Sequence, residues 1–227
     1  MDDLKLYAKS EKELKQLIDI VYCFSNDIEM KFGIEKCATL RIEAGIKKES
    51  DGIELPSGDL IAEVEEKGYK YLGVLQECDV KHREMKALVS KEYLRRVKAV
   101  SRSKLYSNYL FRAMNSWAVS VIRYSAGILD WRVQELKDID IKTRKILTMN
   151  GIFHKKGNVD RLYLGRDKGG RGLISVEDCI RMEEQNLRNY LRKNIEVLML
   201  SACKVLIGDE ECKRKEADNI NRMISQV

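Results

Sequence analysis

GYKYLGVLQECD, residues 68–79, is where the chain changes character. A glycine leads into Tyr69-Lys70-Tyr71-Leu72-Gly73-Val74-Leu75, rich in aromatic and β-branched residues, which predicts a strand. Past Asp79 the texture is different. Met85, Leu88, Val89, Val97 and Val100 recur at helical spacing, opposite a basic face of Lys86, Lys91, Arg95, Arg96, Lys98 and Arg102. The stretch therefore separates a sheet-bearing part, residues 1–78, from an all-helical part, residues 79–227.

Upstream, Leu4–Lys9 alternates apolar and polar residues and predicts a strand. Ser10 with Glu13 forms a capping-box pattern, so a helix starts there. Leu14, Leu17, Ile18, Val21, Tyr22, Phe24 and Ile28 supply its apolar positions, and Gly33 is its expected stop. Cys37–Ile42 reads as a strand. Asp51-Gly52 and Ser57-Gly58 are turn signals for one or two hairpins. Strand, helix, strand, hairpin and strand make an α+β layer, a sheet with a helix on one face.

Downstream, a second apolar helix is expected from about Leu105 to Leu129, through Leu110, Met114, Trp117, Val121 and Ile122. A third, capped by Asp130, carries Val133, Leu136, Ile139, Ile146 and Leu147 and ends at Gly151. After a loop at His154–Asn158 comes RLYLGRDKGGRGL, residues 161–173. Ser175 and Asp178 then cap a helix reaching about Asn194, with further helix expected over 195–227.

The 227 residues are 44% hydrophobic and 34% charged, with one proline, Pro56. That suits long, solvated helices. No apolar run approaches the roughly 18–20 residues of a membrane span, and no basic-then-apolar leader opens the chain. An intracellular site, nuclear or cytoplasmic, is the expectation. Six scattered cysteines without a C-x-x-C pair argue against zinc and against a disulfide framework. Residues 1–80 carry 11 basic and 18 acidic side chains, and residues 81–227 carry 31 and 18. An acidic front joined to a basic back points to a polyanionic partner for the back, although basic residues also simply solvate helices.

The chemistry-bearing residues follow this division. Asp2 and Asp3 stand before the first expected strand. Adjacent carboxylates in a turn suit divalent metal, and read alone they are also an ordinary turn. Lys36 stands in MKFGIEKCATL, just before an expected strand. Tyr71, Leu72 and Gly73 stand in the strand of residues 69–75. Gly169, Gly170 and Gly172 alternate with Arg166, Lys168 and Arg171, a composition suited to backbone amides and guanidinium groups approaching phosphate.

Taken in this order, these segments resemble the reverse transcriptases of the non-LTR (LINE-type) retrotransposons. MDDLKLYAKS looks like the family's aromatic-x-Asp-Asp motif without its aromatic residue. MKFGIEKCATL resembles the next motif, YKYLGVL the primer grip, and GRDKGGRGLISVEDC a segment following the thumb, with Gly165 where the family has proline. The resemblance implies a partial palm over 1–78 and a basic, thumb-like helical region over 79–227. It implies that Asp2 and Asp3 bind Mg²⁺ and that Lys36 donates a proton to the leaving pyrophosphate. Tyr71, Leu72 and Gly73 would contact the primer, and Lys91, Arg95, Arg96, Arg102, Arg166, Lys168 and Arg171 the phosphates of an RNA template and DNA primer. The family's other catalytic aspartate and its fingers have no counterpart in these residues. The expectation is therefore a fragment of an RNA-directed DNA polymerase, inactive alone. The alternatives are a non-catalytic module binding RNA or RNA–DNA duplex, or a relic of an element.

Overall fold

The computed structural model describes residues 4–31, 33–64 and 68–193. The chain combines helices with small antiparallel ladders. It divides into two compact units, Met1–Met85 and Lys86–Val227.

In the first unit, helix α1 spans Glu11–Asp27. The Ser10 hydroxyl accepts from the Glu13 N–H at 3.3 Å, as the capping pattern predicts, while the Glu13 carboxylate accepts from Lys9 N at 2.9 Å. Gly33 does not end this helix. The chain leaves it at Glu29, which takes a left-handed φ of 58°. Glu29 N donates to Asn26 O and Met30 N to Ser25 O, the paired bonds of a Schellman closure built without glycine. Leu4–Ala8 is irregular rather than a strand, because no described segment offers it a ladder.

Three hairpins follow instead of one sheet. β1 (Arg41–Glu43) pairs with β2 (Ile46–Lys48), β3 (Ile53–Glu54) with β4 (Leu60–Ile61), and β5 (Tyr69–Tyr71) with β6 (Val74–Gln76). The expected strand over 69–75 is thus folded back on itself at Leu72-Gly73, and the one over 37–42 begins pairing only at Arg41. Ala44-Gly45 and Leu72-Gly73 both hold positive φ at both positions, which lets two residues reverse a twisted pair. Ser57-Gly58 joins β3 to β4 as predicted. Asp51-Gly52 turns no hairpin. Gly52 lies against β4, where an added Cβ would stand 2.4 Å from Ile61 O. Thr39 ties in by donating to Ala62 O and accepting from Val64 N, both at 2.9 Å. Ile18 of α1 meets Ile53, Leu55 and Ile61 in a small core, flanked by Leu6, Leu14, Ile34 and Cys37.

The second unit is helical. α2 (His82–Ser101) is followed by α3 (Ser107–Ala113), which runs through a π turn (Met114–Ala118) into α4 (Val119–Ser125). Then come α5 (Val133–Met149), the short α6 (Asp160–Tyr163) and α7 (Val176–Lys193). Asp130 is not the cap of α5. That helix begins after Arg132, whose N–H is held by the Glu135 carboxylate at 2.9 Å. Gly151, at φ 70°, closes it, and Ser175 caps α7 through Asp178 N at 3.0 Å. α4 and α5 both pack on α7. Tyr93, Val97, Phe111, Met114, Ile122, Leu147, Leu162 and Val176 form the core, each almost wholly removed from water. Burial of each such side chain stabilises by about 1.5–3 kcal/mol. Among the described residues no helix is long and apolar enough to cross a membrane.

Candidate nucleic-acid interface

The rotation of α2 is set by its apolar side. Tyr93, Val97 and Val100 are buried, and the Tyr93 hydroxyl lies 3.2 Å from that of Thr143 on α5. Burial keeps the phenol protonated, its pKa raised far above the ordinary value. With that side fixed inward, Lys91, Arg95, Lys98 and Arg102 fall at i, i+4, i+7 and i+11 on the outer side, all exposed. At 1.5 Å per residue the stripe runs about 16 Å. Among the described residues the side chains of Lys91, Lys98 and Arg102 take part in no ion pair or hydrogen bond, so their charge faces solvent.

Arg95 and Arg96 behave differently from the rest of the basic face. Both grip Glu92, Arg95 through Nε and Nη2 at 2.7 and 2.8 Å, and Arg96 through Nε at 2.8 Å. Those bonds, Arg95's first, hold the Glu92 carboxyl down at about 2. Arg96 also donates to Trp117 O at 2.9 Å. The guanidinium carbons of Arg96 and Arg95 stand 5.2 and 5.9 Å from the centre of the Trp117 ring. Trp117, expected among the apolar positions of its helix, is 41% exposed. The π turn accounts for this, because its extra residue shifts the apolar period while Met114 and Ala118 on either side stay buried.

The glycine-rich segment does not offer its backbone to a ligand. The N–H groups of Gly169, Gly170, Arg171, Gly172 and Leu173 donate to the carbonyls of Arg166, Gly165, Arg161, Leu164 and Leu162. With those amides taken, no phosphate cradle remains. The glycines answer to packing: Gly169 and Gly172 hold φ of 78° and 72°, and a Cβ on Gly170 would stand 1.9 Å from Leu164 O. Gly165 rests at φ −56°, ψ 155°, a conformation proline itself takes. Asn115, in the π turn, donates to Gly172 O at 2.7 Å and accepts from Ile174 N at 3.0 Å. Arg166 and Arg171 reach Ser107, at its carbonyl (3.2 Å) and hydroxyl (2.6 Å), while Lys168 projects outward. The segment's cations thus remain exposed, but two of the three hold α3 in place.

In the first unit, Lys36 ends a short 3₁₀ turn, Ile34–Lys36, with its side chain exposed and its carbonyl accepting from the Tyr69 hydroxyl. Tyr71 is half-buried, the Lys5 ammonium 5.4 Å from its ring. Leu72 and Gly73 are the turn between β5 and β6 rather than strand residues. Asp2 and Asp3 lie outside the described residues. Among the described residues no three His, Cys, Asp or Glu side chains come together to hold a metal.

Two features of this surface escaped the sequence reading. Trp117 looked like a core residue, and only the polar Asn115-Ser116 pair inside the apolar run hinted at an irregular turn. The Glu92 grip on Arg95 and Arg96 was legible as i+3 and i+4 spacing. No family model, curated protein or solved structure matches the chain.

Proposed function

We propose that the second unit is a nucleic-acid-binding helical module that lies along an RNA–DNA duplex, and that the chain derives from a reverse transcriptase of the non-LTR retrotransposon type. The observation that carries the binding is the stripe of Lys91, Arg95 and Lys98 on the outer face of α2, continued by Arg102 in the turn just past its end, four exposed cations. Such contacts neutralise phosphates without reading bases, so binding is sequence-independent and weakens with salt. In this reading Tyr71, Leu72 and Gly73 present a hairpin tip to the primer strand. Asp2 and Asp3, with Lys36, are the remnant of a nucleotidyl-transfer centre that would use Mg²⁺.

The test is the salt dependence of binding to a blunt RNA–DNA hybrid, comparing wild type with Lys91→Gln, Lys98→Gln and Arg102→Gln combined. Each phosphate contact contributes about 0.9 to the slope of log K against log salt, so losing three flattens it by about 2.7. An unchanged slope rejects the stripe as the contact surface.

A further inference from the structure

Trp117 is one of several large apolar side chains of the second unit that stay exposed, and it differs from them in standing under two guanidinium groups. A large ring on a helix flanked by wholly buried Met114 and Ala118 would ordinarily be drawn inward, yet 41% of it meets solvent. The backbone holds it there. The π turn is fixed from one side by Asn115, bonded twice to the 172–174 segment, and from the other by Arg96, bonded to the carbonyl of Trp117 itself. Two guanidinium groups stand over the ring, within 6 Å of its centre. Both are oriented by the same carboxylate, Glu92, and one of them, Arg95, belongs to the cationic stripe.

We infer that Trp117 with Arg95 and Arg96 is a stacking platform for an unpaired base. The ligand class is therefore single-stranded RNA or DNA, taken at the margin of the stripe that tracks the phosphates. This rests on the nucleic-acid reading above and narrows it. A duplex holds its bases stacked inside and offers the ring no π face, whereas an unpaired strand presents one at each nucleotide, and the guanidinium groups over the ring extend the stack that such a base joins.

The experiment titrates the full chain with a short oligo(U) strand and, separately, a blunt RNA–DNA hybrid of equal length, following tryptophan emission and affinity. The chain has two tryptophans, so Trp117→Phe leaves Trp131 as the sole emitter. Expected is quenching of wild type by oligo(U) that disappears in Trp117→Phe. Oligo(U) affinity should fall about 5- to 100-fold in Trp117→Leu, which keeps apolar bulk but cannot stack, and much less in Trp117→Phe, which can. Hybrid affinity should be nearly unchanged in both variants. If oligo(U) binds without quenching, or equally well to Trp117→Leu, the platform is overturned while salt-dependent hybrid binding leaves the stripe standing. If neither probe binds, both readings fall.

Discussion

Asp140 gives the sharpest test of how the second unit is held together. It stands on α5 with its carboxylate buried, accepting from Val176 N at 3.0 and 3.2 Å and from Glu177 N at 3.4 Å. These are N–H groups of the first turn of α7, which the helix cannot satisfy itself. Val176 is wholly buried, so Asp140→Ala strands its N–H away from water at about 1–3 kcal/mol. Glu177 N–H is nearer solvent and its lost bond adds about 1 kcal/mol, for a total of about 2–4 kcal/mol. Asp140→Asn keeps an acceptor and should cost less. Burial, the largest influence, lifts the Asp140 carboxyl above its ordinary range against the pull of the two N–H bonds. The folded chain therefore holds this proton where the unfolded chain has released it. Between the ordinary Asp value of about 4 and the raised native one, Asp140's contribution to stability falls as pH rises. The gap between wild type and Asp140→Asn should be widest at the acid end of that window and narrow toward neutrality, opposite to a salt-bridged acid. Both tryptophans lie in this unit, so urea unfolding followed by their emission reads it selectively. A cost below about 0.5 kcal/mol for Asp140→Ala, the range of an ordinary surface change, would refute the cap.

Other substitutions probe the backbone. Gly170→Ala should destabilise the second unit by about 3 kcal/mol or more, since its Cβ meets a carbonyl rather than a yielding side chain. Its neighbour Gly169→Ala should cost only about 1 kcal/mol, the strain of a left-handed φ in open space; equal costs in urea unfolding would contradict that distinction. Leu72→Asn places the preferred Asn-Gly pair in the β5–β6 turn and should stabilise the hairpin by about 0.5–1 kcal/mol, read as slower amide exchange at Tyr71 and Val74. Tyr93→Phe removes the bond to Thr143 and should cost about 1 kcal/mol in tryptophan-monitored unfolding, without moving the salt slope of hybrid binding.

How much of this was legible depended on whether the signal was local. The Ser10 and Ser175 caps, the α5 stop at Gly151 and the cationic face of α2 are written in residues three or four apart, and the fold realises them. The hairpins were harder. Leu72 is a poor candidate for a left-handed turn, so residues 69–75 read as one strand, and Asp51-Gly52 imitated a turn that is in fact a close approach to β4. At the candidate interface the cationic stripe was visible, but the π turn that exposes Trp117 was not. It is held by Asn115 reaching residues 172–174, a contact across more than fifty positions that no local pattern contains.

The pairing of the cations sets a limit on what the second unit can do. Its sequence suggests a strongly basic surface, yet much of that charge is matched internally. Arg95 and Arg96 share Glu92, Lys86 meets Glu135, Arg123 meets Glu183 and Arg181 meets Glu177. Arg166 and Arg171 are directed at Ser107. A cation already matched by a carboxylate releases little further counterion on meeting a phosphate, so the net charge overstates the binding. On the proposed reading Lys91, Lys98 and Arg102, with Arg95 as a partial fourth, would give a slope of about −2.7 to −3.6 and a loss of about 40- to 150-fold between 50 and 200 mM salt. That is a modest, rapidly reversible grip. Under the proposed function it would suit a surface that steadies a duplex while something else fixes its position, and the proposed stacking ring at Trp117 would add affinity that salt does not erode.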